Sequence, residues 1–240
     1  MKAIEEWHSE RMHQPLRLVR WGEFGAPVLV FPTAGGDAEE IERMGLVDSV
    51  SWLLAEGRIK LYSVDSIAGR AWLERRDPLH ASWLQGAFLS AVRWEVVPAI
   101  RADVGDETAE LVTAGASIGA FNAVASTCRY PDVFRAAVGM SGTYDLEPWL
   151  GGLWNDEFYF SSPLHYLPGL TDSFQLEALR RRWVVLATGT GDHENPGESW
   201  RLAGVLGAKG VPNQVDEWAG WPHDWPTWRV MLPAYLDRLS

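Results

Sequence analysis

The chain is predicted to fold as an α/β protein, with a mostly parallel central sheet and helices on both of its faces. Two observations predict this. Short β-rich runs recur along the chain, and segments with apolar residues at helical spacing fall between them. A third observation supports the parallel arrangement: "PVLVFP" (Pro27–Pro32) is continuously apolar, as a strand covered on both faces would be.

The β-rich runs come in order. "PLRLVRWGE" (Pro15–Glu23) alternates apolar and polar residues, the pattern of a half-exposed strand. Pro27–Pro32, "RIKLYSVD" (Arg58–Asp65) and "ELVTAG" (Glu110–Gly115) follow, and then "AAVGMSG" (Ala136–Gly142), "WVVLATG" (Trp183–Gly189) and "NQVDEWAG" (Asn213–Gly220). Helices are expected over Met44–Glu56, Trp83–Ile100, Ile118–Cys128, Glu198–Lys209 and Thr227–Leu239. In the second of these, Leu84, Phe88, Val92 and Val96 mark one apolar face. The stretch from Thr143 to Leu170 is aromatic, Gly- and Pro-rich, and too long for an ordinary connection, so it is read as a short lid-like insertion over the site. No repeat or linker divides the chain, and residues 1–240 are read as a single domain.

Bulk properties narrow the function. A hydrophobic fraction of 47% with 22% charged residues is ordinary globular usage, so a packed core is expected. The net charge of −11 argues against a nucleic-acid or anionic-membrane surface, which needs clustered Lys and Arg. The single cysteine, Cys128, excludes an internal disulfide and a multi-cysteine zinc site, and no metal is expected. The first residues lack the basic head and apolar stretch of a secretory signal, and no run of about 18 apolar residues suggests a membrane span. A soluble, cytoplasmic protein is the expectation. Tryptophan occurs 14 times, enough to suggest an aromatic-lined cleft as well as a core.

The chemistry is sought in loops at the carboxyl ends of the strands, where sites of such sheets lie. "GASIG" (Gly115–Gly119) falls between a strand and a helix. A G-x-S-x-G there holds the serine on a sharp turn, with its hydroxyl above the sheet at the positive end of the helix. Ser117 is therefore the candidate nucleophile. Its base should be a histidine further along, oriented by a carboxylate, in the order Ser, acid, His. Of the downstream histidines, His165 lies in the irregular insertion and His193 where the acid is expected. His223, in "AGWPHDWPTW" before the last helix, is the candidate base. Asp224 beside it is a candidate for starting that helix. The acid must come from "TGTGDHENPGES", where spacing leaves both Asp192 and Glu194 open.

An oxyanion hole needs two backbone N–H groups. One is expected from Ile118 and the other from the small-residue loop "FPTAGGD", at Ala34 or Gly35. Trp149, Trp154, Trp221 and Trp225 are candidates to line a substrate pocket.

With these residues in place, the chain resembles a family of α/β-hydrolase esterases related to the esterase D group. The likeness is carried by "PVLVFPTAGGDAEEIERMGLVDSV", "EGRIKLYSVDS", "GASIGAFNAVASTCRYPDVFRAAVGMSGTYDL", "FYFSSPLHYLP" and "NQVDEWAGWPHDWPTWRVMLPAYL". It implies the α/β-hydrolase fold and hydrolysis of a small-molecule carboxylic ester without a cofactor, with Ser117 and His223 in the roles above. The family's aromatic–Glu pair after the seventh strand falls on His193-Glu194, which favours Glu194 over Asp192. His193 departs from that pattern, as does Ala120 where the family has a glycine. Transfer of the acyl group, cleavage of a thioester or amide by the same triad, and a non-catalytic binding protein on this fold are the competing readings. Nothing in the sequence sets the oligomeric state.

Overall fold

In a computed structural model of the chain, which describes residues 1–75, 77–171 and 173–240, eight strands form one sheet. They are β1 (Lys2–Ser9), β2 (Gln14–Trp21), β3 (Ala26–Phe31), β4 (Ile59–Val64), β5 (Leu111–Ala116), β6 (Phe134–Met140), β7 (Trp183–Gly189) and β8 (Asn213–Trp218). Their order is β1-β2-β4-β3-β5-β6-β7-β8. β2 runs antiparallel to β1 and β4, and every pairing from β4 to β8 is parallel. With helices over both faces, this is the mostly parallel sheet that the strand–helix alternation predicts, and the α/β-hydrolase fold that the family resemblance implies.

Seven of the strands lie within two residues of the runs read from sequence. β1 was not anticipated. It is an exposed edge strand, "KAIEEWHS", whose mixed polar pattern gives no clean alternation. Glu95 ties it down, accepting from Trp7 Nε1 at 3.0 Å and Ser9 Oγ at 3.1 Å.

The helical expectations need two corrections. Met44–Glu56 is not one helix. α2 (Leu46–Ser49) and α3 (Ser51–Ala55) replace it, separated where the chain leaves helical geometry at Val50, and a left-handed Gly45 (φ +73°) divides them from α1 (Glu40–Arg43) just before. Trp83–Ile100, by contrast, belongs to a longer rod. After α4 (Ile67–Glu74), which was not anticipated, α5 (Pro78–Ala91) starts at an Asp77 cap whose carboxylate accepts from Leu79 and His80 amides at 3.0 Å. A π-turn over Val92–Val96 then leads into α6 (Val97–Val104). Pro98 has no N–H for the carbonyl four residues back, and a π-turn is one way for a helix to absorb that loss.

α7 (Ile118–Arg129) follows β5 directly and is buried along nearly its whole length. Its Cys128 is fully buried, which pushes the thiol pKa up to about 12. Native protein should accordingly show no reactive thiol towards a disulfide reagent at about pH 8, and one thiol should appear on unfolding.

The insertion is built from α8 (Asp156–Ser161), α9 (Pro163–Tyr166) and two 3₁₀ turns, and α10 (Ser173–Leu179) follows it. Tyr144, Leu146, Leu150, Phe158, Leu164, Tyr166 and Leu167 are buried under it, so this segment is fastened by its own aromatic and aliphatic side chains. α11 (Pro196–Ala208) and α12 (Trp225–Leu239) complete the layers. No helix of the described residues is long and apolar enough to cross a membrane.

Candidate active site

The parallel strands end level. Phe31 pairs with Gly115, Ala116 with Met140, Met140 with Ala187, and Gly189 with Trp218. The loops holding Ala34, Ser117, Ser141, Glu194 and His223 therefore leave the sheet along one edge, its carboxyl edge.

Ser117 sits between β5 and α7 with φ +57° and ψ −123°, a region that side-chain-bearing residues rarely occupy. The flanking glycines explain how it is held. A Cβ on Gly115 would collide with the Gly119 backbone, and one on Gly119 would strike the Phe31 and Pro32 carbonyls. Both positions must lack a side chain for the helix to fold back so tightly on the strand. The turn is pinned by the Ser117 amide on the Met140 carbonyl (3.0 Å) and by the Thr143 amide on the Ser117 carbonyl (3.2 Å). Ser117 itself is part-exposed in a row of buried residues.

Ile118 is the first residue of α7, so its N–H has no partner within the helix. The second small-residue loop approaches it. An ideal Cβ placed on Gly69 of α4 would lie 3.1 Å from Ala34 Cα and 3.2 Å from Ile118 Cγ2, which brings the two segments together over that glycine. Ala34 and Gly35 are the central residues of a turn closed by the Gly36 amide on the Thr33 carbonyl at 3.1 Å. Glu40 holds the turn by accepting from the Thr33 amide (2.8 Å) and hydroxyl (2.9 Å), an anchor the sequence reading missed.

The two carboxylates of the seventh loop part company. Asp192 is exposed, and its contact with His223 is through its carbonyl, which accepts the His223 amide at 3.0 Å. The Glu194 side chain is 1% exposed, with Oε2 3.8 Å from His223 Nδ1. That separation is an ion-pair distance, longer than an ordinary hydrogen bond. Oε1 accepts from the Ser141 hydroxyl at 2.5 Å, and the Thr188 hydroxyl lies 3.2 Å from Oε2. Burial by itself would raise the pKa of this carboxyl. The His223 ring, the Ser141 hydroxyl and the Gly189 amide outweigh burial and hold it below the usual glutamate value.

His223 is 23% exposed on its side chain and meets Trp228 edge-on, with ring centroids 5.2 Å apart. A continuous set of contacts thus runs from His223 through Glu194 and Ser141 to Met140, whose carbonyl receives the Ser117 amide. Asp224 caps α12, accepting from the Trp225 amide at 2.7 Å. Ser141, Thr188 and Trp228 were not anticipated. "MSG" at the end of the β6 run was the one available signal for the first of them.

The tryptophans separate by position. Trp149 is half-buried in the apolar cluster that contains Ile118, Ala34 and Trp72, and the Arg75 guanidinium lies 5.0 Å from its ring. Trp225 packs on Trp228 at 5.0 Å and Trp221 on Trp218 at 5.8 Å, both beside the His223 loop. Trp154 is half-exposed and packs on Phe158 and His165 within the insertion. His165 bonds the Ser162 and Glu147 side chains, Oγ at 2.7 Å and Oε2 at 3.1 Å. Asp145, Glu147 and His165 form the one group of metal-ligand type among the described residues, and Arg201 already pairs with Asp145 there.

A mostly parallel sheet with helices on both faces, carrying a serine on a strained strand-to-helix turn, defines the class: this is a protein of the α/β-hydrolase fold. Residues 71–239 match the model of the family described as "Putative esterase", so the chain belongs to that family. No curated protein sequence matches it. Among solved structures, it is similar over its whole length to a ferulic acid esterase, with 17% identity, 96% of that chain covered and a TM-score of 0.75. It is also similar to the S-formylglutathione hydrolase of Agrobacterium tumefaciens, at 12% identity over 99% of this chain and 94% of the other, TM-score 0.75. A fluorophosphonate-binding serine hydrolase of Staphylococcus aureus matches at 12% identity over 100% and 98% of the two chains, TM-score 0.68. At such identities the likeness is one of fold.

Proposed function

We propose that the protein is a serine carboxylesterase in which Ser117, His223 and Glu194 act as the catalytic triad. One observation carries this reading. The strained Ser117 turn and the pair of buried Glu194 and part-exposed His223 stand on the same sheet edge, joined through Ser141 and Met140.

In the mechanism, His223 takes the Ser117 proton as Oγ attacks the ester carbonyl. The Ile118 amide and that of Ala34 or Gly35 receive the negative charge of the tetrahedral intermediate. His223 then protonates the leaving alcohol, and a water activated by the same ring releases the acid from the acyl-enzyme. Glu194 holds the imidazole in the tautomer that leaves Nε2 free to act as base. Ile118, Ala34 and Trp149 share one apolar cluster beside the nucleophile, which suits an apolar or aromatic acyl group. No step calls for a metal or cofactor.

A panel of p-nitrophenyl esters of graded acyl length tests the reading, with an organophosphate probe read by mass spectrometry alongside. Hydrolysis is expected across part of the panel, with one probe adduct per chain located on Ser117. Turnover no greater than the Ser117→Ala background, together with no adduct, would overturn the proposal.

A further inference from the structure

The buried face of Glu194 turns away from His223 towards two residues whose arrangement the triad alone does not require. A carboxylate's terminal torsion is broad and roughly two-fold, so nothing within the Glu194 side chain decides which way its oxygens point. Hydrogen bonds must decide it. Oε1 is engaged by the Ser141 hydroxyl at 2.5 Å, which leaves Oε2 to face His223 Nδ1.

The hydroxyl is itself directed. Trp228 Nε1–H donates to Ser141 Oγ at 3.0 Å, and an indole N–H can only donate. Ser141 has a single proton, and with one lone pair occupied by the indole that proton is left for the carboxylate. The same Trp228 ring stands edge-on to His223 at 5.2 Å and an interplanar angle of 85°. One side chain of α12 therefore contacts the imidazole directly and reaches the carboxylate through one hydroxyl. Ser141 is 3% exposed and holds φ +47°, a left-handed conformation that glycine would adopt more readily. A serine kept where glycine is the easier fit points to a use for the hydroxyl.

We infer that Ser141, directed by the Trp228 indole, is a positioning residue that locks the Glu194 carboxylate in the orientation facing His223. The inference rests on the proposed triad. It adds a requirement that the triad does not contain: the acid is aligned from the end of β6 and from α12, outside its own loop.

Ser141→Ala and Ser141→Gly test it together. Both remove the hydroxyl, but only glycine relieves the positive φ, so an alanine variant that fails to fold leaves the glycine variant to answer. The groups facing Glu194 are His223, the Ser141 and Thr188 hydroxyls and the Gly189 amide; those facing His223 are Glu194 and Trp228. Without the Ser141 donor the carboxylate charge is less neutralised, and the Glu194–His223 pair binds a proton more tightly. In both variants kcat is expected to fall about ten- to a hundredfold with KM within about twofold of wild type. The acid limb of the kcat/KM profile should move to higher pH. Trp228→Phe keeps an aromatic side chain but removes the indole donor. It should move the limb the same way but less, and its effect combined with Ser141→Gly should be smaller than the two separate effects multiplied.

A limb and kcat like wild type in Ser141→Gly, while Glu194→Gln and His223→Ala are inactive, would overturn the inference and leave the triad standing. Full turnover in Glu194→Gln and His223→Ala would instead remove the triad, and this inference with it.

Discussion

Replacing Ser117 by alanine is expected to lower kcat by roughly a million-fold, to a residual rate set by the oxyanion hole and binding alone. The loss should be selective. Alanine fits the strained turn as well as serine does, since the constraint at φ +57° falls on any Cβ-bearing residue and the turn is held by backbone bonds to Met140 and Thr143. Melting temperature should therefore stay close to wild type while activity disappears, and the organophosphate adduct should vanish with it. A variant that retains esterase activity with the fold intact would remove Ser117 from the mechanism.

The second large effect separates the two carboxylates. Glu194→Gln should reduce kcat by about a thousand- to ten-thousandfold, because an amide cannot stabilise the imidazolium and can present a donor to Nδ1, favouring the wrong tautomer. Asp192→Asn should stay within about threefold of wild type, since its side chain is exposed and it meets His223 through the backbone carbonyl. The reverse ranking would transfer the acid's role to Asp192. Acid stability offers a second reading of the same residue. Glu194 titrates below its unfolded value, so its contribution is full above about pH 4.3 and is lost as pH falls through the folded pKa. Thermal melts of the Gln variant should therefore fall less steeply on acidification through that range.

Much of this architecture was legible in one dimension. Covered strands announce themselves as apolar runs, and β3, β5 and β7 were bounded to within one residue. Helical segments expected after β5, β7 and β8 gave α7, α11 and α12. Elements whose stability comes from what they touch left no such trace. β1 is a polar edge held by pairing with β2 and by Glu95, and the short helices α8 and α9 are folded around buried aromatic contacts of the insertion. The break of Met44–Glu56 at Gly45 was visible as a glycine, but only the left-handed backbone there shows it ending one helix and starting another.

The same division runs through the site. Local sequence placed a serine between two obligatory glycines and a histidine after the last strand, because a sharp turn and a strand-end loop are short-range features. It left Asp192 and Glu194 equal in spacing, since two residues in one loop have no linear mark of burial. Folding separates them. The Glu194 side chain lies inside, within reach of His223, while Asp192 faces solvent. Its partners Ser141 and Trp228 stand 53 and 34 positions away along the chain, so the network that orients the carboxylate exists only once β6, the seventh loop and α12 have come together.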